Sequence, residues 1–553
     1  MEPRNNNKTS VFFSPRKPDD HTLFNEARAP AIVIVPSLRD WDDFGHKIYA
    51  SYYLIRDNIY IQEGKILLGF IENDREIKKK LYKNEQLLIS SEELPTFFTM
   101  RQDMEAYRAL IHEKGTDRAL QLLSELNDLV YARKSRKPQK WLSTALESEV
   151  FKLGFMRSSD QFFTFHNAES ILDGVKAERL DRISTTLHLK FKLDAFNNDH
   201  QIDFEFSSDD PLPRRVNVLI GRNGLGKSQA LGAIVKSLQY GNHDLIDPTY
   251  GRPMISRVLA IATPGETAHT FPEESATQKT LYRRLNLTRN TNNGPSRDFG
   301  EICVQLVRST EQIGGNLRWE IFLKTISKVF KGQTIGLKLH SNVFARNANL
   351  ISINGQNYVP LDSLSDGGEQ ATLELWSAIQ SNSSPFKLIS GQAYRLSSGE
   401  LSFIKFAAQA SLFIENGTLV LLDEPETHLH PNLISDFISL LNNLLEITGS
   451  IAIVASHSSY IVREIPKKQV QVFKSDSDGN IHILNPRLNT FGANIGSISY
   501  FIFEDEVSSI AVSDIANSLR NLVDRSAGME RLRQEVSPEL FMQLQRELDQ
   551  DHR

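Results

Sequence analysis

The chain of 553 residues contains one cysteine, Cys303. An intrachain disulfide therefore cannot form, and a cysteine-rich zinc site is excluded, which suits a reducing, cytoplasmic setting. Long hydrophobic runs are missing too. No stretch approaches the ~20 apolar residues of a membrane span. The opening MEPRNNNKTSVFFSPRKPDD has no apolar h-region, so no signal peptide is expected. An excess of positive charge is also lacking. The formal net charge is −5, so the whole chain does not behave as a nucleic-acid-coating protein, and any such contact has to come from a local patch. There is no internal repeat and no long heptad pattern.

What remains is soluble and globular in composition, with 40% hydrophobic and 24% charged residues. The length is too great for one ordinary core and implies roughly two to four domains. Residues 1–30 are polar and read as a loose arm. From Ala31 an α/β accessory domain is expected to residue 180. AIVIVPS (31–37) and KILLGFI (65–71) read as strands within it. Met104, Tyr107, Leu110 and Ile111 share one helical face, Gly115 acts as a stop, and Thr116 reads as the cap of a second helix. That pair ends in a basic run, Arg133, Lys134, Arg136, Lys137 and Lys140, which is a candidate nucleic-acid contact or a solvated helix end.

A nucleotide-binding core is expected over 181–505. STTLHLKFKL (184–193), IDFEF (202–206) and RVNVLI (215–220) alternate as strands do. An irregular stretch, 241–390, reads as an inserted lobe, and 506–553 as a helical tail. In the tail Ser537 and Pro538 start a helix faced by Leu540, Leu544 and Leu548.

The strongest motif is Gly221-Arg222-Asn223-Gly224-Leu225-Gly226-Lys227-Ser228. It sits between a strand and a helix and fits G-x-x-x-x-G-K-[ST] at every fixed position. Glycines let backbone N–H groups approach phosphates, and the helix end adds a positive dipole. Lys227 is expected to reach the β- and γ-phosphates of ATP, and the Ser228 hydroxyl to ligate Mg²⁺. Downstream, the apolar run Leu419–Leu422 ends in Asp423-Glu424-Pro425. Carboxylates at the C-terminal end of a central parallel strand lie beside the phosphate loop. Asp423 is expected to hold Mg²⁺, and Glu424 to orient or deprotonate the attacking water.

Two further segments extend the pattern. Leu396-Ser397-Ser398-Gly399-Glu400 opens the helix LSFIKFAAQASLF, and Ser450–Ala455 is an apolar strand ending in Ser456-His457-Ser458. The order of these motifs resembles ABC-class ATPases. That resemblance makes Ser397, Ser398, Gly399 and Glu400 the signature, which caps ATP held by the opposite subunit of a head-to-tail dimer. Ser398 and Glu400 depart from its usual Leu-Ser-Gly-Gly-Gln form. It makes His457 the residue that touches the γ-phosphate. It also leads one to expect a glutamine after the strand Arg257–Ala262, where Thr263 stands instead. His428 and His430, in ETHLHP, fall in the dimer-facing loop of such proteins rather than in a zinc site.

LVLLDEPETHLHP followed by ASHSSYIVREIP is similar to the stand-alone ABC ATPases related to the OLD family. Asn489-Thr490-Phe491-Gly492-Ala493, before SISYFIFEDE, resembles the ATPase subunits (PtuA) of Septu-type anti-phage systems, including those attached to retrons. The resemblance implies an ABC-class P-loop ATPase head of α/β fold with a mainly parallel sheet. It also implies ATP and Mg²⁺ as cofactors, self-association, and a partner HNH nuclease (PtuB-like). A retron version adds a reverse transcriptase and its branched DNA. No membrane partner is implied. No Toprim carboxylates follow His457, so no self-contained nuclease is expected; Glu504-Asp505-Glu506 reads as a helix-opening charge cluster. The alternatives are an SMC-like DNA-repair ATPase, disfavoured by the missing heptads, and a non-hydrolysing module in which ATP holds an assembly together.

Overall fold

The computed structural model describes residues 9–16, 30–37, 45–56, 59–83, 88–137, 139–193, 196, 198–207, 212–262, 270–274, 279–286, 298–340, 349–366, 369–380, 384–476 and 478–503, with 518, 541, 542 and 545 singly. The tail motif residues Ser537, Pro538, Leu540, Leu544 and Leu548, the cluster Glu504–Glu506 and Thr263 lie outside the described positions.

The N-terminal unit is built on a six-stranded sheet. Its strands run in the order Ile89–Ser90, Ser10–Phe13, Ala31–Pro36, Tyr49–Arg56, Ile59–Phe70, Phe97–Met100. Ser10–Phe13 belongs to the polar opening segment, yet it pairs in parallel with Ala31–Ile34 because Phe13 is wholly buried there. The helices Met104–Lys114 and Thr116–Glu125 follow. Gly115, at φ +74°, ends the first and is itself the N-cap of the second, so Thr116 is the first helical residue rather than the cap. A left-handed φ at a junction is inexpensive only for glycine.

The second unit is organised by a seven-stranded sheet. The order is Leu281–Asn286, Arg257–Ala262, Leu419–Asp423, Ile451–Ser456, Val216–Ile220, Val470–Ser475, Ile481–Leu484. The first six run parallel and the last is antiparallel. The central strands are apolar on both faces, as a parallel sheet covered on both sides requires. Leu419 and Leu421 face a core shared with the helix Lys227–Tyr240 and with the strands Thr186–Lys192 and Asp199–Glu205. Val420 and Leu422 face the opposite core, shared with the helices Phe299–Arg308, Arg318–Phe330, Ser398–Phe413 and Pro431–Thr448. Each fully buried leucine or valine contributes about 1.5–3 kcal/mol. This is the α/β, mainly parallel P-loop architecture expected of the head.

Within 241–390 the strands join several sheets, with Leu245–Ile246 beside Thr186–Lys192. Arg257–Ala262 and Leu281–Asn286 join the main sheet. Ile351–Ile353, Gln356–Pro360, Thr334–Lys338, Phe386–Ile389 and Gln392–Arg395 form a separate antiparallel sheet that runs directly into Ser397. Among the described residues no helix is long and apolar enough to cross a membrane.

The units meet at the turn 414–418, which joins the helix Ser398–Phe413 to the strand Leu419–Asp423. Glu415, about 2% exposed, accepts from Arg108 Nη2 at 2.9 Å and lies 3.5 Å from Arg318 Nη2. Arg108 also grips Glu178 at 2.7 Å. Arg318 Nη1 donates to the carbonyls of Ser411 and Ile414, closing the end of the helix. A Cβ on Gly417 would stand 2.3 Å from the Phe163 ring, so only glycine admits that aromatic from the N-terminal unit. Breaking one side of a buried ion pair costs about 3–5 kcal/mol, because the other charge is left unpaired.

The carboxylates around this junction respond in opposite directions. Burial alone would raise Glu415, but Arg108, Arg257 and Arg318 hold it down at about 2. Burial pushes Asp160 up to about 7, and its Oδ1 has no hydrogen-bond partner among the described residues. A carboxyl raised on folding binds its proton more tightly in the native state. It therefore costs no stability below its unfolded value, near pH 4, and costs most above pH 7. Asp160→Asn is expected to raise the urea midpoint at pH 8 clearly more than at pH 4.5. An equal shift at both values would contradict a buried, proton-holding Asp160.

Candidate functional site

Register brings the motifs together. Ile220 is paired with Ser456, and Asp423 with Ala455, so three neighbouring parallel strands end level with one another. Gly221, Glu424 and His457 each follow one of these ends. The C-terminal edge of such a sheet is where ligands are held.

The phosphate loop is shaped by close backbone packing. A Cβ on Gly221 would lie 2.6 Å from the Phe473 carbonyl oxygen, and one on Gly226 would lie 2.5 Å from Leu193. Gly224 and Gly226 have φ +82° and +90°. The helix Lys227–Tyr240 starts directly after Gly226, so its first N–H groups face the loop. Arg222, Asn223 and Gly224 are exposed, Leu225 is partly covered, and Lys227 is buried. Lys227 Nζ donates to the carbonyls of Gly221 at 2.8 Å and Arg222 at 3.0 Å. Burial pulls its ammonium below the ordinary lysine range, and the carboxylates of Glu424, Asp423 and Glu426 work against that. The loop thus presents backbone donors and a positive group, the cradle a nucleotide's phosphates need.

Asp423 is buried at the end of its strand. Its Oδ1 accepts from Ser228 Oγ at 3.0 Å, and its Oδ2 from Thr270 Oγ1 at 2.7 Å. One carboxylate flanked by two hydroxyls is an all-oxygen set that suits Mg²⁺, which also keeps several waters when it binds. Glu424 follows in the left-handed region, at φ +48°, a conformation that costs a non-glycine residue about 1–2 kcal/mol. Three bonds hold it there. Its N–H donates to the Ala455 carbonyl at 2.9 Å, and its carbonyl accepts from the Thr427 N–H and hydroxyl. The strain turns a partly exposed carboxylate out from the strand end.

His457 is exposed, with Nδ1 3.6 Å from Glu424 Oε1 and 3.3 Å from Glu426 Oε1. Glu426 was not among the candidates from sequence. Its buried Oε1 accepts from the Ser456 hydroxyl at 2.5 Å and the His457 N–H at 2.9 Å, so it fixes the backbone that carries His457. Thr270 was missed as well. Its contact with Asp423 spans 153 positions, and no local pattern announces it. His430 caps the helix Pro431–Thr448 through Nδ1.

The segment Ser397–Glu400 packs near the turn after Glu424, where a Cβ on Gly399 would come within 4.0 Å of Leu429. Ser397 and Ser398 are exposed at the start of the helix Ser398–Phe413. Ser397 and Glu400 form a reciprocal capping box, and Lys387 Nζ pairs with Glu400 at 2.5 Å. Burial would raise Glu400, but Lys387 and Ser397 hold it below the usual carboxylate range. A glutamine here could cap but could not form this ion pair. Gly399 is buried, and a Cβ there would meet Leu433 at 2.4 Å. Among the described residues, the side-chain hydrogen bonds of Ser397 and Glu400 run to each other and to Lys387, and none reaches the phosphate loop.

The basic run is partly spent on the fold. Arg133 donates to the Phe165 carbonyl and lies over its ring, and Lys134 pairs with Asp173. Arg136, Lys137 and Lys140 are exposed.

Comparison with known proteins adds the following. The family model described as "AAA domain, putative AbiEii toxin, Type IV TA system" matches residues 387–463. That range takes in Ser397–Glu400, Asp423, Glu424 and His457 but not the phosphate loop. Protein ea59 of Escherichia phage lambda is 23% identical over 333 residues, which is 56% of this chain. The chain spans 58% of that relative's length. Two solved structures are similar at 13% identity and a TM-score of 0.27, each over 56% of this chain. One is an SMC head domain from Thermotoga maritima, all of which is covered. The other is an SMC head bound to the C-terminal winged-helix domain of ScpA, 97% covered.

Gly221→Ala is expected to lower unfolding free energy by about 1–3 kcal/mol through overpacking against Phe473. Urea denaturation measures this, and an unchanged midpoint would contradict the close approach.

Proposed function

We propose that this chain binds ATP with Mg²⁺ and hydrolyses it in a site completed by the signature of a second copy. The observation that carries the proposal is the convergence of Gly221–Ser228, Asp423-Glu424 and His457 on three adjacent strand ends. In this reading the loop N–H groups and Lys227 bind the phosphates, and Ser228 and Asp423 hold the metal. Bound Mg²⁺ supplies charge neutralisation at the β- and γ-oxygens. Glu424 orients the attacking water and receives its proton. His457, set by Glu426, donates toward the terminal phosphate. Ser397 and Ser398 are exposed and positioned by a capped helix start, so they are available to an anion bound by another subunit.

Beyond the chemistry, we assign the chain to an anti-phage defence assembly in which it controls a partner HNH nuclease. A reverse transcriptase and branched DNA would join it in a retron setting. The Septu-like segment Asn489–Ala493 supports this reading. The compact antiparallel sheet between phosphate loop and signature favours this reading over an SMC-like arm.

Glu424→Gln is expected to bind ATP like the wild type while turnover falls at least about 100-fold, the scale of a lost general base. Fluorescent-nucleotide titration and phosphate release measure the two quantities. Wild-type turnover in the variant would remove Glu424 from the mechanism. Undetectable turnover in the wild type, with ATP-dependent assembly intact, would favour the non-hydrolysing module.

A further inference from the structure

We propose that Thr270 is a metal-positioning residue: its hydroxyl fixes the Asp423 carboxylate for Mg²⁺ and completes the oxygen shell begun by Ser228. The inference rests on the ATP–Mg²⁺ reading above and concerns a residue that no motif marks.

The two oxygens of Asp423 are engaged differently. Ser228, on the phosphate loop, holds Oδ1 at 3.0 Å. Thr270, from a distant connection, holds Oδ2 at 2.7 Å. A hydroxyl that donates to a carboxylate still has lone pairs to accept from a metal-bound water. Tying Oδ2 stops rotation of the carboxylate and leaves Oδ1 aimed at the Ser228 side, where the phosphates and cation meet. Groups that orient a ligand in this way typically change metal affinity 10–100-fold when removed.

Thr270 is also held firmly. Its carbonyl oxygen sits where a Cβ on Gly232 would come within 2.8 Å, so the phosphate-loop helix is notched to receive it. The next residue, Phe271, is buried in the core beside that helix, and its carbonyl accepts from Arg284 at 3.2 Å. The Pro272 carbonyl accepts from the Tyr282 hydroxyl at 2.8 Å. Glu274 accepts from Arg283 Nη1 and the Arg284 N–H. The edge strand Leu281–Asn286 therefore anchors the short segment 270–274 and sets the hydroxyl against Asp423.

Thr270→Val removes the hydroxyl at nearly constant shape, and Thr270→Ser keeps it. ATP binding is titrated against Mg²⁺, and separately in EDTA, with Mn²⁺ binding followed by electron paramagnetic resonance. Thr270→Val is expected to match the wild type in EDTA but to need about tenfold more Mg²⁺ or Mn²⁺. Thr270→Ser is expected to restore the wild-type titration. An unchanged metal titration in Thr270→Val, with a normal wild-type response, overturns this inference alone. A wild-type chain whose ATP binding ignores Mg²⁺ overturns the ATP–Mg²⁺ reading, and this inference with it.

Discussion

The Glu415 carboxylate, closed between Arg108 and Arg318, is the interaction on which the arrangement of the molecule depends. It lies in the turn that ends the signature helix and begins the strand bearing Asp423 and Glu424. Arg108 comes from the N-terminal unit and Arg318 from the helical layer beneath the sheet, so one buried charge ties two other parts of the chain to the same five residues. Asp160, raised by burial and by carboxylates that include Glu415, makes the joint sensitive to protonation. Its strength comes from exclusion of water: an exposed pair of this kind contributes about 0–1 kcal/mol.

From that turn the chemistry is set by strand register. Residues 419–423 are fully buried, so the strand cannot slip without exposing its alternate face. The strand delivers Asp423 beside Ser228 and Thr270, and the strained Glu424 within reach of His457. The same turn carries the signature at the far end of a 16-residue helix, roughly 24 Å long at 1.5 Å per residue.

Much of the head was legible because its signals are local. The phosphate loop, the apolar run ending in Asp423-Glu424 and the strand before His457 each state their structure within ten residues. What was hidden is non-local. Thr270 reaches Asp423 across 153 positions, and Arg108 reaches Glu415 across 307. Glu426 is next to a recognised motif, but its role depends on a neighbouring strand. The antiparallel sheet ahead of the signature leaves no pattern in the sequence, because its strands are 3–5 residues long and too short to show a period. Arg133 and Lys134 resembled a phosphate-binding run because charge in a sequence does not reveal that Phe165 and Asp173 are waiting for it.

The central claim is that a working site takes its phosphate loop from one copy and its signature from another. Mixing two inactive chains tests it most directly. Lys227→Ala keeps an intact signature, and Ser398→Arg keeps an intact phosphate loop. The account predicts that each alone releases no phosphate and that a 1:1 mixture regains turnover from the one composite site with both parts sound. A mixture as inactive as its components, or a Ser398→Arg chain as active as the wild type, would contradict it.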